Sequence, residues 1–136
     1  MTVNHRKLKL ITFTLGGNSF ECQVNKWMMN NNSDDGEKMY AFCPDGEIRE
    51  DAEPDYALDI TFFADWRVNG VSDYLTVNDQ ATVAFVLDHY PDIPAEHVRW
   101  SGNCKIKAPS VGGEPRTTEM NEVTLPVIGK PTYVHL

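Results

Sequence analysis

The sequence predicts a mainly β domain, a sandwich or partial barrel with one short α-helix and one long inter-strand loop. Three observations predict it. Short runs rich in Thr, Val, Ile, Phe and Tyr alternate polar and apolar residues along most of the chain. Only one window, residues 70–79, spaces its apolar residues for a helix. Gly, Pro, Asn and Asp clusters separate the runs at intervals suited to strand connections. The 136 residues form one domain, 1–136, large enough to bury roughly 70% of its unfolded surface.

Residues 7–15 read as the first strand, and Gly16-Gly17-Asn18 then turns the chain. Residues 19–27 alternate, with Phe20, Cys22 and Val24 on one face, so the two runs are expected to pair as a hairpin. From about residue 28 to 54 the rhythm breaks at Asn30-Asn31-Asn32-Ser33-Asp34-Asp35-Gly36, at Asp45-Gly46-Glu47 and at Glu53-Pro54. Within this stretch only residues 39–43 look like a strand. Connections in compact domains are usually about 4–6 residues, so a polar excursion this long is expected to be an arm that reaches a neighbour.

Residues 56–66 form the strongest strand, with Tyr56, Leu58, Ile60 and Phe62 at period two toward a core and Phe63 interrupting the polar face. In the window 70–79, Val71, Tyr74, Leu75 and Asn78 fall on one helical face, with Ser72 or Asn69 as the cap. Strands resume at 81–89 and 96–101, around Pro91 and Pro94. A last pair, 103–108 and 117–127, is expected to turn about Gly112-Gly113.

Composition limits the function classes. Hydrophobic residues at 41% and charged residues at 24% are ordinary for a folded domain, and no apolar run approaches the roughly 20 residues of a membrane helix. The first residues are basic but lead into an alternating stretch, which does not read as a signal peptide. A net charge of −8 opposes gripping nucleic acid, where affinity rests on cations neutralising phosphates. Cys22, Cys43 and Cys104 are odd in number and far apart, and read as reduced thiols on packed strands.

A search for reactive groups yields no catalytic, cofactor or metal residues to name. His89 and His97, with Asp88 and Asp92 nearby, match no ligand frame and read as surface imidazoles. The window from Asn31 resembles a calcium loop, with Gly36 at its sixth position, but its twelfth position is Phe42 where a bidentate Glu is required. There is no G-x-S-x-G, phosphate loop or G-x-G-x-x-G. Glu50 and Asp51 sit in a Pro-bounded loop without an apolar wall to raise a pKa. Trp66 and Trp100 are expected to fill the core or an interface. The patch Trp27-Met28-Met29 is expected either in the core or against another subunit.

The order of segments carries a resemblance. An initial hairpin, 8–24, precedes a long loop, 27–54, and a core strand, 58–66. Trp100-Ser101-Gly102, Gly112-Gly113 and Leu125-Pro126-Val127-Ile128-Gly129-Lys130-Pro131 then form the ending. Together they resemble the major tail tube proteins of long-tailed, non-contractile bacteriophages. The resemblance implies a virion protein, not an enzyme, assembled in the host cytoplasm. It implies hexameric rings stacked into a hollow tube lined by strands from six subunits, with the tape measure protein and other tail proteins as partners. Genomic DNA would pass through the lumen without specific binding, and no cofactor is implied.

On that reading Trp27, Met28, Met29, Asn30, Asn31, Asn32, Asp34 and Asp35 are the expected inter-ring or inter-subunit contacts. Glu21 and Gln23, or their expected strand partners Asp59 and Thr61, supply acidic and polar lining that keeps phosphates from sticking. The alternative in the same class is another tail component, a terminator ring or an immunoglobulin-like decoration protein. An enzyme or small-ligand binder on a β-sandwich is the reading from a different class.

Overall fold

The computed structural model describes residues 2–136. Its strands are β1 (Ile11–Leu15), β2 (Asn18–Ser19), β3 (Val24–Asn31), β4 (Lys38–Tyr40), β5 (Glu47–Arg49), β6 (Tyr56–Phe63), β7 (Thr82–His89), β8 (Val98–Lys105) and β9 (Met120–His135). Helix α1 (Val71–Val77) lies between β6 and β7. Seven strands form one antiparallel sheet in the order β2-β1-β7-β8-β9-β6-β3, and β4 pairs only with β5. The chain is thus mainly β with one short helix, and its sheet curls into a partial barrel. The curl can be read from one contact. Trp27 on β3 meets His89 on β7 with ring centroids 5.8 Å apart, although β6, β9 and β8 lie between those strands in the sheet.

Period-two alternation decides which face is dry. Leu58, Ile60 and Phe62 of β6 face inward with Phe13 and Leu15 of β1, Phe85 and Leu87 of β7, and Val123 and Leu125 of β9. Helix α1 closes one end of this core with buried Val71 and Leu75. Phe13, Phe62 and Phe85 are wholly buried, and burying a side chain of this size contributes about 1.5–3 kcal/mol. The helix cap differs from expectation. Gly70 occupies the N-cap without a side-chain bond, while Ser72 is buried in the first turn, donating from Oγ to Asn121 Oδ1 at 2.8 Å.

One expected pairing is corrected. Residues 19–27 do not fold back along β1: only Asn18 and Ser19 pair with it, a turn follows at residues 21–23, and the chain crosses to the far edge, where β3 pairs with β6. Within the expected first strand, residues 7–10 have no strand partner. The last expected pair does form, antiparallel and joined through the segment that holds Gly112-Gly113, but with other bounds. Residues 98–105 are one strand, and β9 runs sixteen residues straight through Pro126, Gly129 and Pro131.

The sheet absorbs those breakers by irregularity. The β8–β9 register shifts between Ser101 and Asn103, with Ser101 opposite Thr132 and Asn103 opposite Ile128, so Gly129 and Pro131 sit in a bulge. Gly129 has φ +73°, a conformation suited to glycine. Gly102 faces the bulge, where an added Cβ would stand 3.4 Å from Phe85 and 3.7 Å from the Pro131 backbone. Pro126 falls just beyond the last β8–β9 pair, Cys104 with Val127, so its missing N–H costs that ladder nothing.

Candidate functional site

The features left unsatisfied by the fold are strand edges and one projecting hairpin. β3 is an edge strand, with β6 on one side and, among the described residues, no strand on the other. At the opposite margin, β2 and the Phe20 N–H bonded to the Phe13 carbonyl cover β1 only from Phe13 to Leu15. From Thr12 back through residue 7 that margin is bare. A third open flank belongs to β9, because β6 pairs with it only as far as Val127 and residues 128–135 continue past it. Ile128, Tyr133 and Val134 are exposed there. Open edges are templates for another strand, and folds that retain them cover them with a partner or protect them.

The arm leaves the sheet at Asn32, whose N–H donates to the Asp55 carbonyl, and runs out to β4 and β5. Two backbone bonds close its tip, Ala41 N–H to Gly46 O and Gly46 N–H to Cys43 O. Gly36 bends it: φ is +81° and an added Cβ would lie 1.8 Å from the Glu50 carbonyl oxygen, so a side chain there is excluded. The Lys38 ammonium sits 2.8 Å from Glu47, and that hydrogen bond holds its pKa above the ordinary lysine value. Met39, Tyr40, Phe42 and Ile48 are exposed, Phe42 completely. Four large apolar side chains on a hairpin without a core are surface that a partner would cover.

The expected contact residues divide. Trp27 and Met29 pack against the core, whereas Met28 points outward from the same strand. Residues 28–31 are therefore paired strand and not arm. Asn30 donates from Nδ2 to Asp59, the Asn31 side-chain oxygen accepts from the Ser33 N–H, and Asn32 begins the arm. Asp34 and Asp35 stand exposed on it. The strand expected at 39–43 is found at Lys38–Tyr40, and its partner Glu47–Arg49 carried no expectation. The Asp45-Gly46 turn between them was the available signal.

The expected lining residues are also not one set. Glu21 and Gln23 lie in the turn before β3, with Glu21 half-buried and the Gln23 carbonyl accepting from the Phe63 N–H. They are not strand partners of Asp59 and Thr61, which instead sit opposite Met28 and Lys26. Asp59 and Thr61 do face away from the core, beside Glu122 and Thr124 of β9, and Thr124 Oγ1 donates to Asp59 at 2.6 Å. Lys26 partly offsets the acids there. A groove of about 460 Å³ lies among β3, β6, β9 and residues 107–110. Trp27 lines it, and its buried indole N–H has no partner among the described residues.

The imidazoles are not free surface groups. Asp88, nearly buried, receives two bonds from Arg99 at 2.8 and 3.0 Å and faces His97 Nε2 at 3.1 Å. The Arg99 bond, followed by the His97 bond, holds the Asp88 carboxyl below its ordinary range despite burial. Burial pushes His89 below its ordinary value against Trp27 and Tyr90. Among the described residues no group of three or more His, Cys, Asp or Glu is placed to hold a metal. Nor is any helix of those residues long and apolar enough to cross a membrane. Of the thiols only Cys104 is packed on a strand, where burial raises its pKa to about 12; Cys22 and Cys43 are exposed in turns. No protein-family profile matches the chain, and no curated protein matches it in sequence.

Proposed function

We propose that this chain is a structural protein that assembles with copies of itself into rings, and that the rings stack into a tube of the kind found in the tails of long-tailed, non-contractile bacteriophages. The observation that carries the reading is the pairing of two bare strand margins with a hairpin that exposes four large apolar side chains. Apart from the two-residue β2, six strands alternate in direction across the sheet, so β1 and β3 run antiparallel to each other. A copy rotated about an axis along the strands would present β1 antiparallel to its neighbour's β3. Repetition closes a ring and covers both of these margins.

Contacts between rings are head-to-tail and do not close, so they propagate into a filament. The face turned from the core, with Asp59, Thr61, Glu122 and Thr124, is the candidate lining, and its carboxylates would repel a passing polyanion within about 8 Å at physiological salt. Such a tube would serve as a conduit for genome ejection in the virion. Negative-stain microscopy with sedimentation velocity on the purified full chain tests this. The expected result is rings and tubes of uniform width. Single rings that never stack would favour a terminator, and monomers at every concentration and salt would overturn the proposal.

A further inference from the structure

The charges of the chain are sorted along it. Residues 2–20 hold Arg6, Lys7 and Lys9 and no carboxylate. Residues 30–55 hold nine carboxylates, from Asp34 to Asp55, against two cations, Lys38 and Arg49, which leaves −7 of the chain's −8 on the arm. Arg6 is taken up within the chain, 3.4 Å from Glu96, but Lys7 and Lys9 are exposed and form no ion pair among the described residues. Both segments also expose apolar side chains, Leu8 and Leu10 on the first, Met39, Tyr40 and Ile48 on the second.

The arm leaves the end of β3, at one bare margin of the sheet, and residues 7–10 lead into β1, at the other. Because β1 of one copy would run antiparallel to β3 of the next, the end of β3 that carries the arm would meet the end of β1 that residues 7–10 extend.

We propose that the acidic hairpin arm of one copy lies along the basic segment 7–10 of the adjacent copy in the same ring, a lateral clasp of opposite charge around shared apolar side chains. The inference rests on the ring reading above and names the occupant of the arm: a second copy of this chain, bound through its first residues. Alternation in Lys7-Leu8-Lys9-Leu10 then has a cause, because a strand-like segment without a strand partner gains one at the interface. Ser33, Gly36 and the tip bonds hold the arm in place without supplying it a core, and the neighbour supplies the missing cover.

Charge reversal tests the clasp in the full chain. K7E/K9E and D34K/D35K/E37K/E50K/D51K, the second of which takes the arm from −7 to +3, each change only exposed side chains, so far-UV circular dichroism and melting should match wild type. Each should lower the fraction sedimenting as rings by about tenfold or more at 0.1 M salt. An equimolar mixture should recover rings in which the two variants alternate, and one chain carrying both reversals should recover ring formation as well. Salt should weaken the wild-type rings as the Debye length falls from about 10 Å at 0.1 M to about 3 Å at 1 M. Rings that form normally with either reversal overturn the clasp and leave the ring reading intact. A folded double reversal that fails to recover also overturns it. Wild-type monomers under every condition overturn the ring reading and the clasp together.

Discussion

The body and the arm are both built from paired strands, yet one is finished and the other is not. In β6 alternate side chains enter a shared core, and Leu58 and Phe62 are wholly buried. In β4 and β5 the backbone pairs as well, through Lys38 with Arg49, Met39 with Ile48 and Tyr40 with Glu47, but both faces remain wet. The difference teaches that pairing and burial are separate requirements. A two-stranded ribbon satisfies its hydrogen bonds locally, and it gains lasting stability only when a third element covers one face. Among the described residues nothing covers either face of the arm.

The largest test of that contrast falls on the body. Phe62→Ala removes a fully buried ring from the centre of the core and should cost about 3–5 kcal/mol in urea unfolding, through lost transfer energy and the cavity left behind. A loss under about 1 kcal/mol would mean the core collapses around the gap, and the body would then be no better packed than the arm.

The next effect is electrostatic. Asp88→Asn should cost about 1.5–3 kcal/mol at neutral pH, because it replaces a carboxylate that accepts two Arg99 bonds and faces His97. The sign with pH follows from the depressed folded pKa. The stabilisation is fully present above the ordinary carboxylate value of 3.8 and is lost as pH falls through the lower folded value. Wild type and variant should therefore converge in stability in strong acid. A constant difference across that range would assign the cost to shape and not to charge. Smaller still is Ser72→Ala, which removes the donor to Asn121 and the acceptor of the Asp65 N–H. These are neutral bonds, and about 1–2 kcal/mol is expected by the same denaturation measurement.

How far each region was legible in the sequence follows the same division. β6 was clear because period-two alternation from Tyr56 to Phe62 carries the signal of a half-buried strand, and β7 because a short apolar run, Val83 to Leu87, is bounded by polar residues. Helix α1 was clear from its spacing, while its cap was not, since Ser72 spends its hydroxyl on Asn121 in the core and Gly70 takes the cap position. β3 was misplaced because Gly16-Gly17 argued for a local hairpin, whereas the decisive turn at residues 21–23 contains neither Gly nor Pro. β9 was cut short because Pro126, Gly129 and Pro131 each signal a break alone. The bulge that absorbs them depends on β8, which local pattern does not report. At the candidate site, the polarity of the arm was legible, but its second strand was hidden behind acidic residues. The separation of Trp27 and Met29 from Met28 emerged only with the pairing of β3.

The smallest expected effect on stability is the one that isolates the arm. Phe42→Ser and Ile48→Ser alter side chains that touch solvent in the single chain, so urea midpoints should shift by no more than about 0.5 kcal/mol. Backbone amides of β4 and β5 should exchange far faster than those of β6, since opening the arm exposes no core. If neighbouring copies cover these residues, the same substitutions should reduce ring formation in sedimentation while leaving the unfolding curve of the monomer unchanged. That split separates two accounts of the exposed apolar groups. A shift above about 1 kcal/mol would show that the arm folds back on its own body, and the distinction between finished and unfinished sheet would fail. Unchanged stability with unchanged assembly would leave the hairpin without a partner among copies of this chain. Unchanged stability with lost assembly would give the burial missing from the arm to the neighbour.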